Sequence, residues 1–321
     1  MTCVDIHAHI VDRQYLEQLR THLGLEVSES ADKTFLGKGG NTVAWSRPDM
    51  FEIDDRLNVM DRKHIDVRAI SLSTPNVYSW GPEVQVNVAQ MINDRVHEMC
   101  QAHPDRFVGL ASLPLGDIDA AMKELDRSVN ELDMRGIALG SNVGGKQLDD
   151  PMFEPLWERM DALAIPAFMH PMFPVNTGGM EGYELPLRVG FPFDTTLAAT
   201  RLIYSGVLER HPNLALILAH TGGTLLTLIE RLDNGYKIFP ACREHISQPP
   251  SVYAKQLYYD TASFFDPVLE MALGFAGPNH LLFATDDPYI DADTTHVDRL
   301  NISAADKAAI LGGNAARLLR L

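Results

Sequence analysis

The sequence has few cysteines and few basic residues, and each shortage excludes a class of protein. Only three cysteines, Cys3, Cys100 and Cys242, occur in 321 residues, and no two form a CxxC pair. Neither a disulfide framework nor a thiolate zinc site is therefore expected. Lysine and arginine total 27 against 43 aspartates and glutamates, giving a formal net charge of −16. Because such a chain offers no basic face to neutralise phosphates, we expect no nucleic-acid partner.

Long apolar stretches are also missing from the sequence. No stretch is long enough to span a bilayer, and the first residues show no basic segment followed by an apolar one. We therefore expect no membrane partner, no signal peptide and a cytoplasmic location. Hydrophobic residues still make up 45% of the chain, which is ample for a large core.

Short apolar runs alternate with longer amphipathic segments along the chain. This alternation predicts an α/β fold, a (β/α)8 TIM barrel, formed by residues 1–321 as a single domain. The rival fold, an open doubly wound sheet, needs a glycine-rich turn after the first strand, where His-Ala-His stands instead. The eight predicted strands are Val4–His7, Val67–Ser73, Phe107–Ser112, Gly136–Gly140, Pro166–His170, Leu214–His220, Gln256–Thr261 and His280–Asp286.

Two segments interrupt the alternation, and each follows the C-terminal end of a strand. Residues 13–53 follow the first strand, and the proline- and glycine-rich residues 171–192 follow the fifth. Active sites of barrels lie at that face, so we expect both insertions to act as lids or pocket walls. The alternative is that they are tolerated surface insertions.

Two histidines, His7 and His9, end the first strand region. Side chains at positions i and i+2 of a strand face the same side, so both imidazoles can point into the barrel mouth. Protonated imidazoles this close would repel each other, whereas neutral ones can share a cation. An H-x-H pair alone is nevertheless a weak sign of a metal site.

Three more strands end in groups that bind metals or transfer protons. The fifth strand ends in His170, the sixth in His220 and the eighth in Asp286. A structural role explains any one of these histidines, but not four histidines and one aspartate at the same rim. Because barrel active sites lie at this rim, we predict an enzyme with its site there.

This ordered set of strand ends resembles the amidohydrolase superfamily, in the branch that contains aminocarboxymuconate-semialdehyde decarboxylase. The resemblance extends over nearly the whole chain. It is specific for the branch but not for one reaction, because the branch also holds hydratases and carbon–carbon hydrolases. The segments that carry it are Asp5–Ile10, Arg106–Leu110, His170-Pro171, His220–Gly223, Thr285–Pro288 and Gly313–Ala315.

The resemblance implies a site with one divalent metal ion. His7, His9, His170 and Asp286 would bind it, and His220 would act as a base on the water that completes the site. Binuclear relatives carry a bridging lysine on strand four, but Gly136–Gly140 contains none. Three nitrogens and one carboxylate suit zinc, and manganese is also tolerated. Asp286 would also exchange a proton, and the resemblance further implies a homodimer.

The two insertions and the loop after the eighth strand supply candidates for substrate binding. Arginines could hold a substrate carboxylate in bidentate geometry, and aromatic side chains could form the pocket walls. The same residues could equally serve surface or packing roles. The sequence differs from the muconate enzyme at several of the pocket positions, which leaves the particular substrate open. The candidates are Arg47, Arg188, Trp45, Phe173, Phe191 and Tyr289.

We therefore predict a metal-dependent, non-oxidative decarboxylase of a small aromatic or muconate-like carboxylic acid. The alternative is a metal-dependent hydrolase or hydratase acting on a product of aromatic ring cleavage. Both reactions use the same unit of metal, water and His220, so the sequence does not separate them. A barrel without catalytic activity would be expected to have lost some of the strand-end groups, and all five are present.

Overall fold

A computed structural model describes residues 2–321 and contains a sheet of eight parallel strands. Each strand pairs with its neighbours in chain order. The first and eighth strands meet through the hydrogen bond from Ile6 N to Phe283 O (3.0 Å) and a parallel bridge between Ala8 and Asp287. The predicted (β/α)8 barrel is thereby confirmed. The barrel strands are Val4–Ile10, Val67–Leu72, Phe107–Ser112, Gly136–Gly140, Ala167–His170, Leu216–Leu218, Tyr258–Asp260 and Leu281–Leu282.

Helices surround the barrel and begin where the sequence provides N-terminal signals. The helix Pro82–Ala102 starts with proline in its first turn, and Ile118–Asn130 is capped by the side chain of Asp117, which accepts from Ala120 N. The α-helices are Arg13–Leu23, Ile53–Arg62, Pro82–Ala102, Ile118–Asn130, Glu154–Leu163, Phe191–Tyr204, Val207–Arg210, Leu225–Ile238, Pro250–Ala254, Asp266–Ala276, Thr295–Asp298, Ala304–Ala308 and Asn314–Leu319. Among residues 2–321, no helix has both the length and the apolar character needed to cross a membrane.

The hydrophobic core has two parts, one outside the barrel wall and one inside it. The larger part packs the helices against the outer faces of the strands. The smaller part contains Ile6, Ala138, Phe168 and Ile217 from strands around the barrel, together with Leu319 of the last helix. The barrel is therefore filled with side chains below the rim, and its floor is rigid.

The first insertion is mostly regular structure. It contains the helix Arg13–Leu23 and an antiparallel sheet of three strands, Glu26–Ser30, Lys33–Lys38 and Asn41–Ser46. The second insertion contacts this sheet through Glu184, whose carboxylate accepts from the backbone N and the hydroxyl of Thr42, both at 2.9 Å. The two segments that follow strands one and five are therefore joined to each other.

Gly136 lies where two neighbouring barrel strands are closely packed. A Cβ atom at this position would lie 2.5 Å from Pro166 O, the backbone acceptor of the hydrogen bond from Ile137 N. We expect Gly136→Ala to lower the free energy of unfolding by about 1–3 kcal/mol, because the strands cannot separate without losing that bond. Urea denaturation measures the change.

Gly274→Ala is the matched control, since a Cβ atom there meets nothing within 4 Å and the residue lies inside the helix Asp266–Ala276. Replacing glycine inside a helix is expected to stabilise by about 0.5–1 kcal/mol. Equal effects of the two substitutions would contradict this account of the strand packing.

Candidate metal centre

An irregularity in the first strand places His7 in the barrel. Asp5 pairs with Arg68 and Ala8 with Ile70, so three residue steps on the first strand oppose two on the second. Such a bulge redirects side chains locally. Ile6 belongs to the interior core, and the ring of the next residue, His7, also lies against interior Phe168 at 4.8 Å between ring centroids.

The strand-end groups converge at the top of the barrel. The Nε2 atoms of His7 and His9 are 3.1 Å apart, and Asp286 Oδ1 lies 3.3 Å from the first and 3.4 Å from the second. Ligand atoms of His7, His170, His220 and Asp286 all lie within 4.8 Å of one another. The five side chains predicted from four different strands therefore form one cluster.

These distances fit a divalent cation. Metal–ligand bonds of about 2.0–2.1 Å in a tetrahedral site place neighbouring ligand atoms about 3.3 Å apart. The two Nε2 atoms and Asp286 Oδ1 are separated by 3.1–3.4 Å. Imidazole nitrogens with a single carboxylate are also the donor set that zinc and manganese accept.

Hydrogen bonds at the opposite ring nitrogens set the tautomers of the three histidines. His7 Nδ1 lies 2.7 Å from Asp260 Oδ2, and His9 Nδ1 lies 3.1 Å from Ser71 Oγ. His170 Nδ1 lies 3.0 Å from the carbonyl oxygen of Pro171. Because each of these partners can accept a hydrogen bond from Nδ1, the neutral ring of each histidine carries its proton on Nδ1 and turns the lone pair of Nε2 toward the shared space.

Asp260 is the important residue that the sequence reasoning missed. It ends the seventh strand, as His170 ends the fifth. This position at a strand end is the sequence feature that could have identified Asp260 as a site residue. Its carboxylate is buried and also accepts from the backbone N of Thr221 and Ala262, both at 3.0 Å. Burial alone would raise the pKa of Asp260, but the hydrogen bond and charge of His7 outweigh it, and the pKa is lowered.

The pKa values of the three histidines shift in different directions. Burial would lower the pKa of His7, but Asp286 and Asp260 together raise it to about 10. Burial and the neighbouring imidazoles lower the pKa of His9 and of His170. A cation at His7 Nε2 therefore has to displace a proton from that nitrogen, so the affinity for metal falls as the pH falls.

Both candidate catalytic residues have left-handed backbone conformations. The φ angle is 52° at His220 and 60° at Asp286, and it is 54° at Thr221. Such angles cost energy for residues with side chains and concentrate at functional sites. Asp260 holds the turn, because its backbone and side-chain oxygens accept from the hydroxyl and the backbone N of Thr221.

His220 occupies the open side of the cluster. Its side chain is 23% exposed, whereas that of His7 is fully buried. Its Nε2 lies 3.5 Å from Asp286 Oδ2, whereas the carboxylate approaches His7 and His9 through Oδ1. This position gives His220 access to both the carboxylate and a molecule entering from the mouth.

Four aromatic candidates for substrate binding lie next to the cluster. The Tyr289 ring lies 5.7 Å from His9 and 5.4 Å from Trp45, measured between centroids. On the other side, Phe191 lies 6.3 Å from His170 and 5.3 Å from Phe173. The mouth therefore has two aromatic sides.

The two candidate arginines lie in different settings. Arg47 reaches the loop after the eighth strand, where Nη2 donates to Pro288 O at 3.3 Å, and Nε donates to Asp49 at 2.8 Å. Arg188 is exposed, and its guanidinium makes no hydrogen bond or ion pair with any residue between 2 and 321. The structure connects Arg47, but not Arg188, to the elements around the site.

Known proteins with similar sequences and folds were found. The amidohydrolase family profile matches residues 4–321. The chain is 29% identical to 2-amino-3-carboxymuconate-6-semialdehyde decarboxylase of Dictyostelium discoideum, over 99% of this chain and 91% of that one. It is 31% identical to gamma-resorcylate decarboxylase of Rhodococcus jostii (strain RHA1), over 84% and 87%. The crystal structure of 2,6-dihydroxybenzoate decarboxylase from Rhizobium superposes with a TM-score of 0.82 at 26% identity, over 100% of this chain and 99% of that one.

The chain therefore belongs to the amidohydrolase family, as the strand-end residues indicated. The family and the cluster of imidazoles and carboxylate together support a divalent metal as cofactor.

Asp260 provides a test of the tautomer argument. In Asp260→Asn, an amide nitrogen facing His7 Nδ1 would move the ring proton to Nε2, which then no longer binds a cation. We expect the affinity for Zn²⁺ to fall about 10–100-fold, measured by competition with a chromophoric chelator.

The same change at Asp266, which forms an exposed ion pair with Arg299, is the control and should leave the affinity unchanged. Wild-type affinity in folded Asp260→Asn would show that His7 does not depend on this hydrogen bond.

Proposed function

We propose that this protein is a metal-dependent, non-oxidative decarboxylase of a small aromatic carboxylic acid. The observation that carries the proposal is the buried convergence of His7, His9, His170 and Asp286, with His220 beside them on the open side. The relatives confirm the decarboxylase predicted from the sequence, because those reported above are decarboxylases.

His7, His9, His170 and Asp286 are the proposed metal ligands. A divalent cation in this position supplies Lewis-acid chemistry, the polarisation of a substrate oxygen. Asp260, Ser71 and the Pro171 carbonyl hold the rings of His7, His9 and His170 with Nε2 toward the ion, so binding would require His7 to release a proton but no ring to turn. We propose zinc as the resident ion because three nitrogens and one carboxylate suit it, with manganese as the alternative.

His220 and Asp286 are the proposed proton-transfer pair. Decarboxylation without an oxidant adds a proton to the ring carbon that bears the carboxylate; the bond to the carboxyl carbon then breaks and leaves its electrons in the ring. His220 Nε2 can hold that proton and deliver it, since it lies on the open side and 3.5 Å from Asp286 Oδ2. Carbon dioxide leaves, and the proton is replaced from solvent through the exposed edge of His220.

The insertions are proposed as pocket walls of a single domain. Trp45 comes from the first insertion, Phe173 and Phe191 come from the second insertion, and Tyr289 follows the eighth strand. Flat aromatic sides next to a metal centre favour a planar aromatic acid. Arg47 is the proposed carboxylate contact at the rim, and Arg188 would have to move inward to act in the same way.

The reaction is tested with a panel of dihydroxybenzoic, carboxyvanillic and muconate-type acids. Carbon dioxide and substrate absorbance are followed together, with purified protein of measured metal content. We expect equimolar release of carbon dioxide that a chelator abolishes and Zn²⁺ or Mn²⁺ restores. Metal-dependent loss of substrate without carbon dioxide would instead indicate the hydrolase or hydratase reaction.

Two substitutions separate the proposed base from the ligands. His220→Ala should retain bound metal and lower kcat by about 10²–10⁴-fold, the usual contribution of a general acid or base. Asp286→Ala should lower both metal content and kcat. His245→Ala, at an exposed histidine, is the control. Loss of metal from His220→Ala would make His220 a ligand and contradict this division of roles.

We also propose a homodimer in the cytoplasm. Val189, Phe193 and Leu197 are 39%, 53% and 48% exposed and recur every four residues, so they form one apolar stripe. Val175 and Tyr183, which also belong to the second insertion, are exposed at 64% and 92%. A second copy of the chain would cover this surface. The cytoplasm suits Cys3, Cys100 and Cys242, which are free thiols.

Sedimentation of the purified protein tests the dimer. We expect the mass of two chains for the wild type and of one chain for Phe193→Glu, because a charge would be buried in the interface. Val84→Glu introduces the same charge at another exposed apolar position, in the helix Pro82–Ala102, and should remain dimeric. A wild-type monomer would exclude the proposed interface.

A further inference from the structure

Four charged side chains lie buried between the barrel wall and the helix Ile53–Arg62. Asp5 and Arg68 are fully buried, and Arg56 and Asp287 are each 6% exposed. None of them is among the proposed ligands. They are nevertheless adjacent in sequence to the ligands on two strands, since Asp5 precedes His7 by two residues and Asp287 follows Asp286 directly.

The Asp5 carboxylate joins the first strand to the eighth. One oxygen, Oδ1, accepts from the backbone N of His7 at 3.2 Å and from the backbone N of Thr285 at 3.0 Å. The other, Oδ2, accepts from the Thr285 hydroxyl at 2.6 Å. A single side chain thus fixes the distance between His7 and the residue that precedes Asp286.

Asp287 makes a second connection between the same strands. Its backbone oxygen accepts from His9 N at 2.7 Å, next to the other histidine of the first strand. Its carboxylate oxygen Oδ2 lies 2.9 Å from Arg68 Nη1 and 3.1 Å from Arg56 Nη2. The orientation of Asp287 therefore determines the backbone on both sides of the metal centre.

Arg68 is the side chain that connects the two aspartates. Its Nε donates to Asp5 Oδ2 at 3.3 Å, and its Nη1 forms an ion pair with Asp287. Arg56, in contrast, forms an ion pair with Asp287 alone. The arrangement is costly, because Arg68 Nη2 and Arg56 Nε have no hydrogen-bond partner among residues 2–321, and Arg68 Nη1 meets Asp287 as an ion pair without a hydrogen bond. Apolar residues would fill a buried space at lower cost, so stability alone does not account for this network.

We propose that Arg68 is a positioning residue for the metal centre: by holding Asp5 and Asp287 with one guanidinium, it sets the position of Asp286 relative to His7 and His9. The inference rests on the proposed metal site. The planar guanidinium holds the hydrogen bond from Nε to Asp5 and the ion pair of Nη1 with Asp287 in fixed relative directions, which lysine cannot reproduce. Loss of this link lets the eighth strand shift against the first, and the separations of 3.3–3.4 Å between Asp286 Oδ1 and the two Nε2 atoms are no longer held.

The test compares Arg68→Lys with Arg56→Lys, a matched change at a buried arginine that contacts Asp287 alone. Affinities for Zn²⁺ and Co²⁺ are measured by chelator competition, and the visible spectrum of the Co²⁺-loaded protein reports the ligand geometry. We expect Arg68→Lys to lower both affinities by at least about 10-fold, with an altered Co²⁺ spectrum, and Arg56→Lys to lower them less. Unfolding midpoints of the metal-free variants separate stability from metal binding.

Asp5→Asn provides a second, independent variant. It keeps an oxygen toward His7 N and Thr285 N but removes the charge that Arg68 Nε contacts, so the same loss of affinity is expected. If Arg68→Lys does not fold, Asp5→Asn decides alone. Wild-type affinity in either folded variant, or equal losses in the two arginine variants, would overturn the proposal. A wild-type protein that binds neither ion would instead refute the metal site itself.

Discussion

The hydrogen bond between His7 Nδ1 and Asp260 is the interaction on which the site depends. In the neutral ring of His7 it keeps the proton on Nδ1, and so leaves the lone pair of Nε2 toward His9, His170 and Asp286. The same carboxylate supports the strained turn that presents His220. Asp260 thereby contacts residues at the ends of both the first and the sixth strands. The closed barrel brings these strand ends together.

The sequence predicts the parts of this site that follow from strand position. Period-two alternation puts His7 and His9 on one side, and parallel strands bring their C-terminal ends to one rim, so His170, His220 and Asp286 could be placed without a structure. The aromatic candidates were predicted for a related reason, since segments that follow strand ends border the same rim.

The sequence does not predict contacts that depend on closure and on side-chain direction. In the sequence, Asp260 is like any other aspartate at the end of a strand. Its role depends on its contact with His7, which is 253 residues away in the chain. Arg68 lies inside an apolar strand, where a charged residue is unexpected. Its partners, Asp5 and Asp287, belong to other segments of the chain and cannot be identified from the sequence. The exposure of Arg188 is also outside what the sequence predicts, because its position in the second insertion does not specify whether the side chain is buried.

The contact between Glu184 and Thr42 couples two segments that are 142 residues apart. Because the carboxylate holds both the amide and the hydroxyl of Thr42, the two insertions form one mechanical unit. A substitution that displaces one of these segments is therefore expected to displace the other, so an engineered change in either one has to be compatible with both.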